Sequence, residues 1–283
     1  MSKICNMADD IVCGNRICKT APYPNDSTHF SCTINVEKSF FDCLKEIFGF
    51  RTKLNSRSFS VGLDDFRGPY AASHDSVKLS NEYAVSNFLT ENEKIINGFR
   101  DGGHNAEFTK YGDIISGNRE VITIDKYKDG YLRNAIAYVK HNTEGMAEND
   151  KVKFVYNVIR EISGDFKKSD LRSEYLAKQE KGKEVPIGKI FENECATCRH
   201  KGIMFKLLAE EAGLNVRLLR GLAFDLGGFG RHVWNEVKLK DGKKLLIDIQ
   251  NSRIIDISSK KSLKNPELAS YLSCNKKSIY CKE

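Results

Sequence analysis

The chain has 283 residues and a mass of 32.0 kDa, is 40% hydrophobic and 29% charged, and carries a formal net charge of +7. There is enough apolar material for a sizeable core, and too little bias for a disordered or collagen-like chain. No stretch approaches the ~18 uninterrupted apolar residues of a membrane span, and the opening MSKICNMADD lacks the basic segment and apolar block of a signal peptide. The expectation is a cytoplasmic protein in a reducing setting, without stable membrane insertion. Nothing in the sequence favours delivery into another cell. Nine cysteines then read as mostly reduced thiols. A nucleic-acid binder would carry a basic stripe with interleaved aromatics inside a folded motif, and none is visible, so no nucleic-acid partner is expected.

In chain order, residues 1 to about 34 show no helical or strand period and contain the turn-rich APYPNDST. VEKSFFDCLKEIFGF puts Phe40, Phe41, Leu44, Ile47 and Phe48 on one helical face, which reads as a short helix packed on the body. Apolar positions between Asn81 and Arg100 suggest another helix. EFTKYG and EVITID look like short strands, and helical period returns over Tyr131–His141 and Ala147–Ile162. A weaker, charged helix spans Leu171–Lys181, and Val185-Pro186-Ile187-Gly188 reads as a turn. This divides the chain into an arm over 1–80, a main domain over 81–255 and a basic tail over 256–283, the tail taken as solvated surface.

The best-organised stretch is NECATCRHKGIMFKLLAEEAG. Ile203, Met204, Leu207, Leu208 and Ala212 recur at helical spacing, and Gly213 supplies a left-handed stop. With Thr197 as N-cap, Cys198 falls in the first turn, where free amides and the helix dipole favour a thiolate. Small Gly202, one turn on, leaves room for another element to approach. NVRLLRG reads as a strand and AFDLGGFG as a flexible loop. RHVWNEVKLKDGKKLLIDIQN then gives two alternating runs joined at Asp241-Gly242.

The register of that hairpin decides the chemistry. A two-residue turn places Asp248 on the face away from His232. A three-residue turn with Gly242 in a bulge pairs Leu239 with Lys243, puts Asp248 opposite Trp234 and brings it diagonal to His232. The second register is expected, because it assembles a thiolate, an imidazole and a carboxylate into a nucleophilic constellation. Cys198 would attack an amide or thioester carbonyl, His232 would hold the thiolate and protonate the leaving group, and Asp248 would orient the imidazole. Trp234 is expected as a wall beside His232, and Arg199 and His200 as substrate contacts or part of the site wall. Cys195, in Cys195-x-x-Cys198, is the candidate redox partner of the nucleophile. No cofactor and no metal ligand set is expected. A zinc site built from Cys195, Cys198 and isolated thiols such as Cys274 and Cys281 is the weaker reading. Asn251 or Gln250 in place of Asp248 is a further alternative.

CRHKGIMFKLLAEEAGLNVRLLRG, followed by HVWNEV and LLIDI, resembles the transglutaminase-like superfamily of cysteine enzymes. In that family a Cys opens a helix, and His-x-Trp and Asp follow on adjacent strands. The resemblance covers roughly residues 130 to 255. It implies an α+β fold of the papain and transglutaminase kind, with the nucleophile helix packed on a mainly antiparallel sheet. It implies acyl transfer at a glutamine side chain or peptide bond of a protein or peptide substrate, with Cys198, His232 and Asp248 as the acting residues. A catalytically inactive scaffold that uses the same fold to hold a protein partner is the reading from another class.

Overall fold

The computed structural model describes residues 10–13, 16–19, 73–103, 107–108, 114–116, 119–164, 173, 176–177, 180–225, 228–273 and 277–280. The chain divides into two units, Met1–Phe66 and Arg67–Glu283. In the first, β1 (Asp10–Cys13) pairs antiparallel with β2 (Arg16–Lys19), Asp10 opposite Lys19 and Cys13 opposite Arg16. The arm read as unpatterned therefore holds a hairpin, signalled by the two residues Gly14-Asn15 between its strands. The amphipathic helix read around Phe40 to Phe48 lies outside the described residues.

The second unit opens with α1 (His74–Ser86), whose N-cap Ser73 accepts a hydrogen bond from the Ser76 amide at 3.2 Å. The helix expected over Asn81–Arg100 stops at Ser86. Asn87 takes a left-handed φ of 64°, and its N–H closes on the Tyr83 carbonyl at 3.0 Å. Leu89, Ile95 and Phe99 remain core residues, carried instead on β3 (Phe88–Leu89) and on turns. β4 (Arg100–Asp101), β5 (Glu107–Phe108), β6 (Ile114–Ser116) and β7 (Val121–Thr123) follow. The next two helices, α2 (Gly130–Thr143) and α3 (Glu148–Ile162), fall where the period placed them, and the Leu171–Lys181 helix lies largely outside the described residues.

The segment read as a turn at Val185–Gly188 is β8 (Glu184–Pro186), parallel to β7, running directly into α4 (Ile187–Glu192). Gly188 serves close approach, not a bend. A Cβ there would sit 2.1 Å from the Asp129 carboxylate, which caps α2 through the Leu132 amide and accepts from the Gly188 amide at 2.7 Å.

The principal sheet, ordered β12-β11-β10-β9-β13 with β3 also beside β9, is antiparallel throughout. It is built from β9 (Asn215–Asp225), β10 (Gly228–Lys238), β11 (Lys244–Asp248), β12 (Arg253–Asp256) and β13 (Tyr271–Leu272). The AFDLGGFG stretch is mostly strand: β9 and β10 stay paired to Asp225↔Gly228 at the hairpin tip. At the other end the Leu239 N–H donates to the Lys243 carbonyl at 2.8 Å and the Leu239 carbonyl accepts from the Gly242 amide at 3.0 Å, with Gly242 at φ 87°. This is the three-residue register. Asn235 faces Ile247 and Lys238 faces Lys244.

Helix α5 (Cys198–Glu211) packs on β9 and β10, with α2, α3 and α4 around it. It is buried nearly all round, its lysines Lys201 and Lys206 included. Gly202 is where the strand comes closest: a Cβ would meet Val233 Cγ1 at 2.7 Å and Leu218 Cδ1 at 3.1 Å. A second apolar cluster, Leu219, Ala223, Trp234, Leu246, Ile255, Ile257, Leu268, Tyr271 and Tyr280, incorporates the C-terminal segment. The tail is thus not merely a solvated surface. Lys260, Lys261 and Lys277 stay in water while Leu268, Tyr271 and Tyr280 are buried. Among the described residues no helix is long and apolar enough to cross a membrane. The fold is α+β.

Candidate active site

The start of α5 sets Cys198 in the first helical position after Thr197, half-buried and unoxidised. Its thiol shares a hydrogen bond with the His232 imidazole and another with the Val233 backbone. Burial by itself would push the thiol up, but the facing His232 charge and these hydrogen bonds outweigh it and leave the thiol below its ordinary value. On β10, His232 is buried and its Nε2 lies 2.8 Å from Asp248 Oδ2. With Nε2 engaged, Nδ1 is the nitrogen left for the thiol. Burial opposes the imidazolium, yet the Cys198 thiolate and the Asp248 carboxylate hold the His232 pKa up at about 10. Asp248, at the end of β11, is kept below the usual carboxylate range despite its burial by hydrogen bonds from His232, Tyr271 and the Asn251 amide.

Asp248 is fully held. Oδ2 accepts from the Tyr271 hydroxyl at 2.6 Å and from Asn251 Nδ2 at 2.8 Å besides His232, and Oδ1 accepts from the Asn251 backbone at 3.0 Å. Asn251 therefore supports the carboxylate, its Nδ2 lying 3.4 Å from the His232 ring nitrogen. Gln250 turns to Lys201, whose Nζ donates to Oε1 at 2.7 Å. Trp234 lies parallel to the His232 ring at a centroid separation of 6.1 Å and donates its Nε1–H to Tyr280 at 2.8 Å. Tyr280 in turn donates to Glu236 Oε1 at 2.7 Å.

Arg199 and His200, expected as substrate contacts or site wall, are instead placed in the interior. His200 Nδ1 accepts from the Thr197 amide at 3.0 Å, so the ring is neutral and its Nε2–H faces Glu120 Oε1 at 2.9 Å. Burial and the neighbouring Arg199 push the His200 pKa down to about 4, against the pull of Glu120. Arg199 pairs with Glu120 and reaches the Asp101 carbonyl at 3.3 Å. Arg220 on β9 completes the group, donating to Asp101 Oδ1 at 2.8 Å and lying over the Tyr83 ring at 4.1 Å. Arg199 and Arg220 thus face Asp101 and Glu120 in the interior, with the partly exposed Arg119 also 3.4 Å from Glu120, and β4 and the residue leading into β7 bring the two acids to the start of α5. Burial would raise Glu120, but the His200 hydrogen bond and Arg199 hold it well below the usual range.

Cys195 is buried, its thiol donating to the Asn193 carbonyl at 3.4 Å. Cys274 and Cys281, invoked for the zinc reading, lie outside the described residues. Among the described residues no group of three or more His, Cys, Asp or Glu is arranged to hold a metal ion.

Residues 75–252, well over half of the chain, match the family described as EDR1/CTR1/ARMC3, peptidase-like. The chain belongs to that family. No curated protein matches it. The matched segment contains Cys198, His232 and Asp248 and ends before Tyr271 and Tyr280. Those two tyrosines, with Glu120, Asp101 and Arg220, are what sequence reasoning missed. The tyrosines sit in a lysine-rich stretch with no strand period. Asp101 sits in a two-residue strand and Glu120 just before a three-residue one, too short to show alternation, and Arg220 lies near the end of the NVRLLRG run read for its apolar positions.

Proposed function

We propose that this peptidase-like protein is a cysteine-dependent enzyme that cleaves or transfers acyl groups at peptide or carboxamide bonds, in the manner of the transglutaminase-like superfamily it resembles. The observation that carries the reading is the His232–Asp248 contact at 2.8 Å beside a Cys198 thiol lowered by that same imidazole. The Cys198 sulfur attacks the substrate carbonyl carbon, and the carbonyl π electrons move to oxygen. On collapse the C–N bond breaks, the His232 imidazolium gives its proton to the leaving amine, and a thioester remains. Water, or an amine acceptor, attacks the thioester while His232 takes its proton, and the acyl product leaves as the Cys198–His232 ion pair is restored. Asp248 keeps the imidazole oriented and stabilises its charged form throughout. The Cys198 backbone amide, free at the helix start, is one donor for the oxyanion. Trp234 walls the imidazole on the side toward Tyr280.

The test is the rate of iodoacetamide labelling at each cysteine, resolved by mass spectrometry across pH, in the folded protein and in His232→Ala. Cys198 is expected to label at pH 6 far faster than ordinary thiols and to lose that advantage in the variant. Equal labelling of Cys198 in both proteins removes the thiolate–imidazolium pair and with it the enzymatic reading. Peptide hydrolysis and glutamine deamidation assays on the wild type then separate the two substrate classes.

A further inference from the structure

The hydroxyl of Tyr271 reaches Asp248 from a part of the chain outside the segment that matches the family. Three donors converge on Asp248 Oδ2: His232 Nε2 at 2.8 Å, Asn251 Nδ2 at 2.8 Å and the Tyr271 hydroxyl, the shortest, at 2.6 Å. The direction of the last bond is fixed. The phenol oxygen accepts from Arg253 Nη1 at 3.4 Å, so its own proton is the one turned to the carboxylate. Arg253 is itself held by Glu267 at 3.7 Å and Ser270 at 3.3 Å, both in the same C-terminal segment.

The backbone is shaped for this contact. β13 adds Tyr271 and Leu272 to the edge of β9, opposite Ala223 and Leu222. The neighbouring position, Gly221, lies across from His232, and a Cβ there would come within 2.3 Å of the Leu272 carbonyl and 2.7 Å of the Trp234 ring. Only a residue without a side chain lets the C-terminal strand and the tryptophan occupy that space together. Tyr271 is fully buried, with Trp234 at 5.1 Å and Tyr280 edge-on at 6.2 Å between ring centroids.

We infer that Tyr271 is a positioning residue of the proposed cysteine enzyme: its hydroxyl, delivered by the C-terminal strand, fixes the Asp248 carboxylate and through it the His232 imidazole. The inference rests on the enzymatic reading above and makes β13 part of the site. Without the phenol proton, Oδ2 keeps only the Asn251 side chain as a lateral restraint, the carboxylate turns, and His232 loses its fixed partner. The thiolate at Cys198 is then less well supported.

The experiment measures iodoacetamide alkylation of Cys198 against pH in wild type, Tyr271→Phe and His232→Ala. Phe keeps the ring packing and removes one hydrogen bond to a charged group. The acid limb of the profile is expected to move upward in Tyr271→Phe, with labelling at pH 6 falling about tenfold, the scale of such a bond. A ring needed only for packing would leave that limb where it is. If His232→Ala abolishes the fast labelling while Tyr271→Phe keeps the wild-type limb or lowers it, the inference on Tyr271 is overturned and the enzymatic reading stands. If His232→Ala has no effect, the enzymatic reading itself falls. Should Tyr271→Phe fail to fold, Arg253→Gln, which releases the phenol oxygen from its cation, is expected to shift the limb in the same direction, and an unshifted limb there overturns the inference equally.

Discussion

Gly202→Ala tests whether the distance between α5 and β10 sets the site. The added Cβ would lie 2.7 Å from Val233 Cγ1, 3.1 Å from Leu218 Cδ1 and 3.6 Å from Asn235 Oδ1. Ordinary carbon contacts begin near ~3.5 Å, so relief requires close to ~1 Å of movement at Val233. All of these atoms are buried, and Val233 is both the neighbour of His232 and a hydrogen-bond partner of the Cys198 thiol through its backbone. Overpacking of this kind costs about 1–3 kcal/mol, while Ala in place of Gly within a helix returns about 1 kcal/mol. The net expectation is a loss of about 1 kcal/mol, a melting point lower by about 2–4 °C in a unit of this size. The effect on the site is larger, because a ~1 Å displacement of a reacting pair is worth up to about a hundredfold. Thermal melts and Cys198 labelling at pH 6 read the two effects separately. A variant that melts higher than wild type and labels at the wild-type rate would refute the close approach and the coupling built on it.

Glu120→Gln removes a fully buried carboxylate from between Arg199 and His200 and leaves Arg199 and Arg220 to share the Asp101 carboxylate. Breaking a buried pair from one side costs about 3–5 kcal/mol, and a urea midpoint within the equivalent of ~1 kcal/mol of wild type would show that the cluster is not the anchor of the helix start. His200 gives a signed pH dependence. Its folded pKa of about 4 lies below the unfolded value of about 6.5, so between these values the unfolded chain binds a proton that the folded one refuses. Stability is therefore present above pH 6.5 and lost as pH falls toward 4, by up to about 3 kcal/mol from this fully buried group. Urea unfolding at pH 7 and pH 4.5 reads the His200 effect, and equal stabilities would mean that His200 is already protonated in the fold.

Legibility in the sequence followed the length of the pattern. Helix α5 was readable because Ile203 to Ala212 repeat over several turns and Thr197 and Gly213 mark both ends. The β10–β11 register was readable because one slip would turn Asp248 to the other face. The Val185–Gly188 segment was misread because Pro and Gly signal turns locally. Here Pro186 opens α4, and Gly188 makes room for a carboxylate 59 residues away in sequence. The helix read through Phe88 failed for a similar reason: Leu89, Ile95 and Phe99 match helical spacing, but Asn87 in the left-handed region ends the helix before they begin. The C-terminal segment was hidden by composition, since its lysines advertise solvent while Leu268, Tyr271 and Tyr280 fill the second cluster. Long-range pairing of this kind leaves no local period to find.

Arg199 adjoins Cys198 in sequence, and its charge would be the simplest reason for a lowered thiol. The geometry assigns the effect elsewhere. Its guanidinium is turned away to Glu120 and Asp101, and Arg220 meets Asp101 from β9. What acts on Cys198 is His232, with the Val233 backbone. The two sides of the site are therefore held by separate devices. Glu120, His200 and Arg199 fix the start of α5, and Tyr271 and Asn251 fix the carboxylate behind the imidazole. Between them, Gly202 lets α5 approach β10 closely. A perturbation of the Glu120 cluster should thus appear first as lost stability, and a perturbation at Tyr271 first as a changed Cys198 pH profile in a protein that melts nearly as before.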